Sequence, residues 1–428
     1  AQFEEFALGS NSKADGRIRK NYTRFKNYLK LKIDDYPDDE KSIELKKIIT
    51  KILNSCKVVS LVVKNPQYGP IIFDKLNSGQ EEMNIGELVK NFIFARVAKE
   101  KNNIDAVQNF HDTQWNSFIR EFKDDKAAEN YFFPLSLIGE PNTKKENVYK
   151  NMTNYWNRKK LSSEEIIENL KEYQPAYNAL SNKKVEQYSN PVKESIINLS
   201  RINLSITTYP FVMQLLKKLD EDSNFESTAI DILKFLESFL VRRAICEKEP
   251  TGLHAVFRRL WENLERKETF NAKTIKEIIN EKHSTQKAPD DEDFIKGIRV
   301  VKLAQKKRHL TIFMLEEFDK SLGGEFPEYK KKEVEHILPI KFDNWRNDFT
   351  EEDHELLVDT FANLVILSDK LNKEVSNKPY IQKRAHIRDN AMFLSTRKLF
   401  DENENWKPED IRKRAESLSQ WAIKRFPC

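Results

Sequence analysis

Glycine occurs only ten times in 428 residues, about a third of its usual share. Tight hairpins, left-handed turns and phosphate loops draw on glycine's freedom at positive φ. So sparse a supply argues against a turn-rich sandwich, a Rossmann-type sheet or a collagen-like fibre, and predicts a mainly α chain. The chain is nevertheless built to fold: 27 Phe, 13 Tyr and 6 Trp are too much aromatic surface for a disordered polyelectrolyte. Its length predicts about two to four domains, with enough chain to bury a core without metal staples or disulfides.

Three cysteines, Cys56, Cys246 and Cys428, stand far apart and are odd in number, which excludes a disulfide framework or a CxxC zinc site. No stretch approaches eighteen apolar residues, and Ala1 to Ser10 lacks the basic end and apolar core of a secretory signal. The expectation is a cytoplasmic protein in a reducing compartment, with no membrane partner. A formal net charge of +5 is too mild to establish nucleic-acid binding, so local charge has to decide. The first residue is not Met, which is read as a fragment or a processed product.

Helical spacing begins at once. Arg17 to Lys32 carries seven bases and no acid, while Ile18, Tyr22, Phe25 and Leu29 recur as an expected core face. Two short strands are expected over 58–63 and 71–73, forming a small hairpin, and Asn77-Ser78-Gly79 is read as a turn before the next helix. Asn84 followed by Glu87 marks a capped helix to Val97. Further helices are expected over 104–123, 126–138, 144–158, 163–181, 192–205, 209–219, 226–247, 251–266 and 293–321. The charged stretch 281–293, with Pro289, is the expected exposed boundary between a helical body (1–280) and a C-terminal domain (281–428).

Beyond Gly324 the texture changes. Glu333-Val-Glu335-His336-Ile-Leu-Pro339 reads as a short strand ended by proline. Asn363-Leu-Val-Ile-Leu367 follows 27 residues after the histidine, and Asn372 stands nine residues beyond Asn363. An acid-His pair on one strand, Asn-Leu opening a second and a polar ligand on the next helix match the ββα-metal nuclease pattern, here over about 333–383. The chemistry demands these types. Phosphodiester hydrolysis needs a base for water, and an imidazole with a pKa near 6.5 suits it. A hard divalent cation, Mg²⁺ or Mn²⁺, prefers the oxygens that Glu335 and Asn372 offer. His336 is therefore the expected base, Glu335 and Asn372 the expected metal ligands, and Asn363 an expected catalytic-site residue that holds the loop around His336. Because alternation sends adjacent strand residues to opposite faces, the Glu335–His336 pair is plausible only at a strand end.

These motifs resemble the Gmr-type restriction nucleases and SspE-like antiphage proteins, whose C-terminal HNH domain carries acid-His-Ile-x-Pro. Their later Gly-Asn-Leu, Leu-Asn, Ser-Asn and Lys are matched by Ala362-Asn363-Leu364, Leu371-Asn372, Ser376-Asn377 and Lys383. Weaker likeness covers Arg17-Ile-Arg-Lys-Asn-Tyr22, Leu76-Asn-Ser-Gly79 and Val241-Arg242-Arg243. The resemblance implies a metal-dependent DNA endonuclease of an antiphage or modification-dependent restriction system, with Asn377 in support. It also implies an upstream ParB-like nucleotide-binding domain or a partner subunit. The Asp-Gly-Gln-Gln-Arg motif of that domain does not occur here, nor does a P-loop, so nucleotide control is not carried over.

From Lys373 to Lys398 seven bases outnumber two acids, and Lys373, Lys378, Lys383, Arg384 and Arg388 are expected to meet substrate phosphates. His354, in an acidic stretch, is read as a lid or surface residue. Trp115, Trp156 and Trp261 are read as core. Two alternatives stay open: a catalytically weak DNA-binding or partner-binding subunit, with Glu335 and Ala362 as departures from the family's usual Asp and Gly, and an HNH nuclease acting on RNA.

Overall fold

The computed structural model describes residues 17–34, 36–55, 83–202, 205–249, 252–281, 286–303, 307–324, 331–341 and 343–428. The expected hairpin near 58–73 and the Asn77-Ser78-Gly79 turn lie outside them. The fold is mainly α, and the described residues contain two strands, β1 (Lys332–His336) and β2 (Leu364–Ser368). The chain divides into two compact units, Ala1–Gly69 and Pro70–Cys428.

The first unit holds the helices Arg17–Ile33 and Asp38–Ser55. The second of these starts with Asp38, Asp39 and Glu40, which complement the positive end of the helix dipole. The expected core face of the first is corrected: Tyr22 and Phe25 are exposed, and Leu29 is only half-buried. The two described helices by themselves do not supply enough facing surface to cover both apolar stripes.

In the second unit Asn84 caps Ile85–Lys101 as expected. Its side chain accepts the Glu87 N–H at 2.9 Å, and Glu87 accepts the Asn84 N–H in return. Three long helices expected from periodicity are interrupted. A π-helical turn, His111–Trp115, divides the first. Pro175 lacks an N–H and restricts the residue before it, so the second breaks into Ser163–Glu172 and Gln174–Asn182. The third stops as Asp291–Val300 and resumes as Arg308–Ser321. At this last break Val301 turns extended, Lys302 bridges Thr360, and the Leu303 N–H donates to the Asp359 carbonyl at 3.0 Å. The β-branched pair Val300-Val301 favours that exit from the helix.

Two hydrophobic cores lie within this unit. One gathers residues between Val89 and Ile279, the other residues between Val241 and Phe426. Glu226–Ile245 belongs to both, giving Ala229 to Phe239 to the first and Val241 and Ile245 to the second. Gly297 permits the close approach there, because a Cβ at that position would lie 2.8 Å from the Ile245 carbonyl oxygen. Trp115 and Trp156 are buried in the first core, with Trp261 packed against it.

Over its described part the expected boundary stretch is mostly exposed, at Glu281, Lys287 and Asp290 to Asp293, and it is anchored at one point. Pro289 is buried, Arg243 donates to the Lys287 carbonyl, and Arg242 donates to the Pro289 carbonyl and, at 2.6 Å, to Asp291. The Arg242 side chain is 1% exposed and also donates to the Phe426 carbonyl at 2.6 Å. Two buried guanidinium groups thus tie the Lys287 and Pro289 carbonyls and the Asp291 carboxylate to the helix that carries them.

Candidate active site

β1 and β2 pair antiparallel, with Glu335 opposite Val365 and His336 opposite Leu364. β2 is buried through Leu367, as its unbroken Leu-Val-Ile-Leu run requires. β1 ends at His336, so the acid-His pair does sit at a strand end. Past it the chain is held by Asn363: the Ile337 N–H donates to the Asn363 carbonyl, and the Leu338 N–H to Asn363 Oδ1 at 2.8 Å. Asn363 Nδ2 donates to the Leu338 and Val358 carbonyls at 2.9 and 2.7 Å, and Trp406 Nε1 donates to Oδ1 at 3.2 Å.

Asn363 is 0% exposed and spends both donors and both lone pairs on these partners. These bonds hold the backbone just after His336, the loop on which the sequence reading placed Asn363. Arg414 reinforces the loop by donating to the Ala362 and Leu364 carbonyls.

His336 Nε2 lies 2.7 Å from Asp359 Oδ1, and the two side chains are 16% and 9% exposed. A carboxylate only accepts, so Asp359 takes the Nε2–H and leaves the lone pair on Nδ1. Nδ1 has no hydrogen-bond partner among the described residues. Burial pulls the His336 pKa below its ordinary 6.5, against the opposing pull of Asp359. His354, half-buried, meets the Pro339 carbonyl through Nε2 at 2.9 Å, so it lies beside the loop as well as in its acidic helix.

Glu335 faces Lys383, whose ammonium pairs with Oε1 and donates to the His336 carbonyl at 2.8 Å. Lys383 is fully buried and Glu335 is 12% exposed. Burial raises the Glu335 pKa and lowers that of Lys383, and the opposite charge of each restrains the other's shift. The expectation that Lys383 is a surface contact for phosphate is therefore overturned; its helix, Tyr380–Asn390, buries it together with Tyr380 and Ile387. Arg384 is half-buried. Its guanidinium donates to the Phe400, Asp401 and Asn403 carbonyls and closes the end of the helix Leu394–Glu402. Lys373, Arg388 and Asn377 are exposed and Lys378 half-buried; Lys373 pairs with Asp369 and Arg388 with Asp389.

Asn372 lies on Asp369–Val375, the helix after β2, and its Oδ1 is buried without a hydrogen-bond partner. With the Glu335 carboxylate it supplies oxygens of the hard type that Mg²⁺ or Mn²⁺ prefers. Among the described residues no group of three or more His, Cys, Asp and Glu forms a metal cluster.

Sequence reasoning missed Asp359. The signal was a lone acid inside the apolar run Leu357-Val358-Asp359-Thr360-Phe361, since a carboxylate in such a run needs a partner. No described helix is long and apolar enough to cross a membrane. Residues 288–421 match the family model for the C-terminal domain of the GmrSD restriction endonucleases. No curated protein matches the chain.

Proposed function

We propose, from the premise that residues 288–421 are a GmrSD restriction endonuclease C-terminal domain, that this chain hydrolyses phosphodiester bonds in DNA at the end of β1. The observation that carries this reading is the His336–Asp359 pair. A fixed tautomer with a free Nδ1 lone pair is what a general base for water requires. The lowered pKa keeps the ring unprotonated at neutral pH. Asn363 supports the base by fixing the backbone that follows it, so that the imidazole need not be oriented at the moment of reaction.

Glu335 and Asn372 would hold a Mg²⁺ or Mn²⁺ ion, which supplies charge neutralisation at the scissile phosphate and the leaving oxygen. The buried oxygen of Asn372 supports that assignment. Lys383 contributes a second positive charge, held on Glu335. The exposed bases Lys373, Arg388, Arg397 and Lys398, with Lys378, are the groups left to meet the DNA backbone.

The test is nicking of supercoiled plasmid by the purified chain across a Mg²⁺ and Mn²⁺ titration, with His336→Ala alongside. Metal-dependent nicking that disappears in the variant is the expected result. The ammonium on Glu335 favours one competing reading, a DNA-binding or partner-binding subunit with little turnover. DNA binding without nicking at any metal concentration would select it. Matched RNA substrates in the same assay separate a nuclease acting on RNA.

A further inference from the structure

Away from the strand pair, a cleft of about 1090 Å³ opens where Asn190–Arg201, Glu226–Ile245 and Ala272–Asn280 meet Arg308–Ser321 and Pro408–Arg425. Its charges are unequally satisfied. On the floor, Glu237 and Glu317 are almost fully buried, and both are paired with Arg425, at 2.6 and 2.8 Å. Lys320 joins Glu317 to Glu194. The acids of the floor are therefore already neutralised by cations of the protein.

The rim differs. Lys234, Lys273, Lys276 and Lys424 all line the cleft, and none has an ion-pair or hydrogen-bond partner among the described residues. Asp231 is the remaining acid of the lining. Four unpaired ammonium groups around one concavity repel each other, and the repulsion is relieved by an anion that several of them share. Phe235 and Ala272 add apolar wall to the same cleft.

We infer that this cleft binds a small polyanion, an organic phosphate carrying two or more phosphoryl groups. Phosphoryl groups match the lysines because each offers several acceptor oxygens to a donor that acts as a point charge. The volume suits a small ligand. A duplex is a rigid rod whose charges run along its axis, and it does not enter a concavity of this size. The inference does not rest on the nuclease reading.

The experiment is calorimetric titration of the full chain with two probes, inorganic tripolyphosphate and ATP, at fixed ionic strength. Saturable binding of one molecule per chain is expected, weakened at least tenfold in Lys234→Glu/Lys276→Glu. Lys126→Glu, an exposed lysine that does not line the cleft, should bind as wild type. Equal affinity for both probes assigns recognition to the phosphate chain, and tighter ATP binding adds contact with the apolar wall. Lys273→Gln/Lys424→Gln, which neutralises charge without reversing it, repeats the test should the first variant fold poorly. The inference is overturned if neither probe saturates, if both double variants bind like wild type, or if short duplex DNA, but neither small probe, loses affinity in them.

Discussion

Asp359 Oδ1 lies 2.7 Å from His336 Nε2, across 23 residues of chain. The backbone of Asp359 is itself fixed, since its carbonyl accepts the Leu303 N–H at the break between two helices. The partner of the proposed base is thus placed by a segment that precedes both strands. Asp359→Asn should lower nicking by about 10²-fold or more, because an amide can present its NH₂ to the ring and favour the wrong tautomer. His336→Ala should lose about 10² to 10⁴ in rate. Both are read by plasmid nicking at saturating metal, and wild-type turnover in His336→Ala would remove the base from this site.

The lowered His336 pKa sets the sign of two pH effects. Nicking should hold at pH 7 and fall only below the ordinary value of 6.5, as the ring takes up a proton. Stability should fall in the same direction, because between the folded and unfolded pKa values the unfolded chain binds the extra proton. The His336 contribution is complete above 6.5 and is lost as pH falls through the lowered folded pKa. A pH series of urea melts on wild type and His336→Ala checks this: the difference between them should change below pH 6.5 and stay flat above it.

Replacing Lys383 by Met should destabilise the chain by about 3–5 kcal/mol, the usual consequence of leaving a buried charge unpaired. Glu335→Gln/Lys383→Met together should recover part of that loss, since neither group is then charged. Chemical denaturation of the two variants decides it. A Lys383→Met chain as stable as wild type would contradict the buried pair.

Glu335→Gln alone should weaken metal affinity, so that nicking needs more Mg²⁺ or Mn²⁺ and an excess of either restores part of the rate. No metal concentration should restore His336→Ala. Asn363→Ala should lose activity at every metal level and also stability, by about 2–4 kcal/mol. It strands the Leu338 N–H, the Trp406 N–H and two carbonyls in the core.

Charge reversal at Lys373 and Arg388, both exposed, should weaken DNA binding and flatten its dependence on salt while leaving the melting curve in place. Reversal at Arg384 should disturb folding instead, because its guanidinium serves three backbone carbonyls. Salt titrations of DNA affinity, paired with melts, separate the two classes. An unchanged salt slope in the first pair would mark that surface as merely solvated.

What the sequence determined by itself was local. Few glycines and helical spacing foretold a mainly α chain, Asn84 and Glu87 foretold a cap, and the run from Glu335 to Pro339 foretold a strand end with its acid and histidine. Such features depend on residues a few positions apart, and a periodic pattern or a cap states them directly. Tertiary structure alone decided who pairs with whom. Asp359 reaches His336, and Lys383 reaches Glu335 across 48 residues; the cluster of bases from 373 to 398 therefore divides into exposed groups and structural ones. A charged side chain carries the same letter whether it faces water or a buried carboxylate. Its role follows from the packing that desolvates it and from the counter-charge that packing delivers.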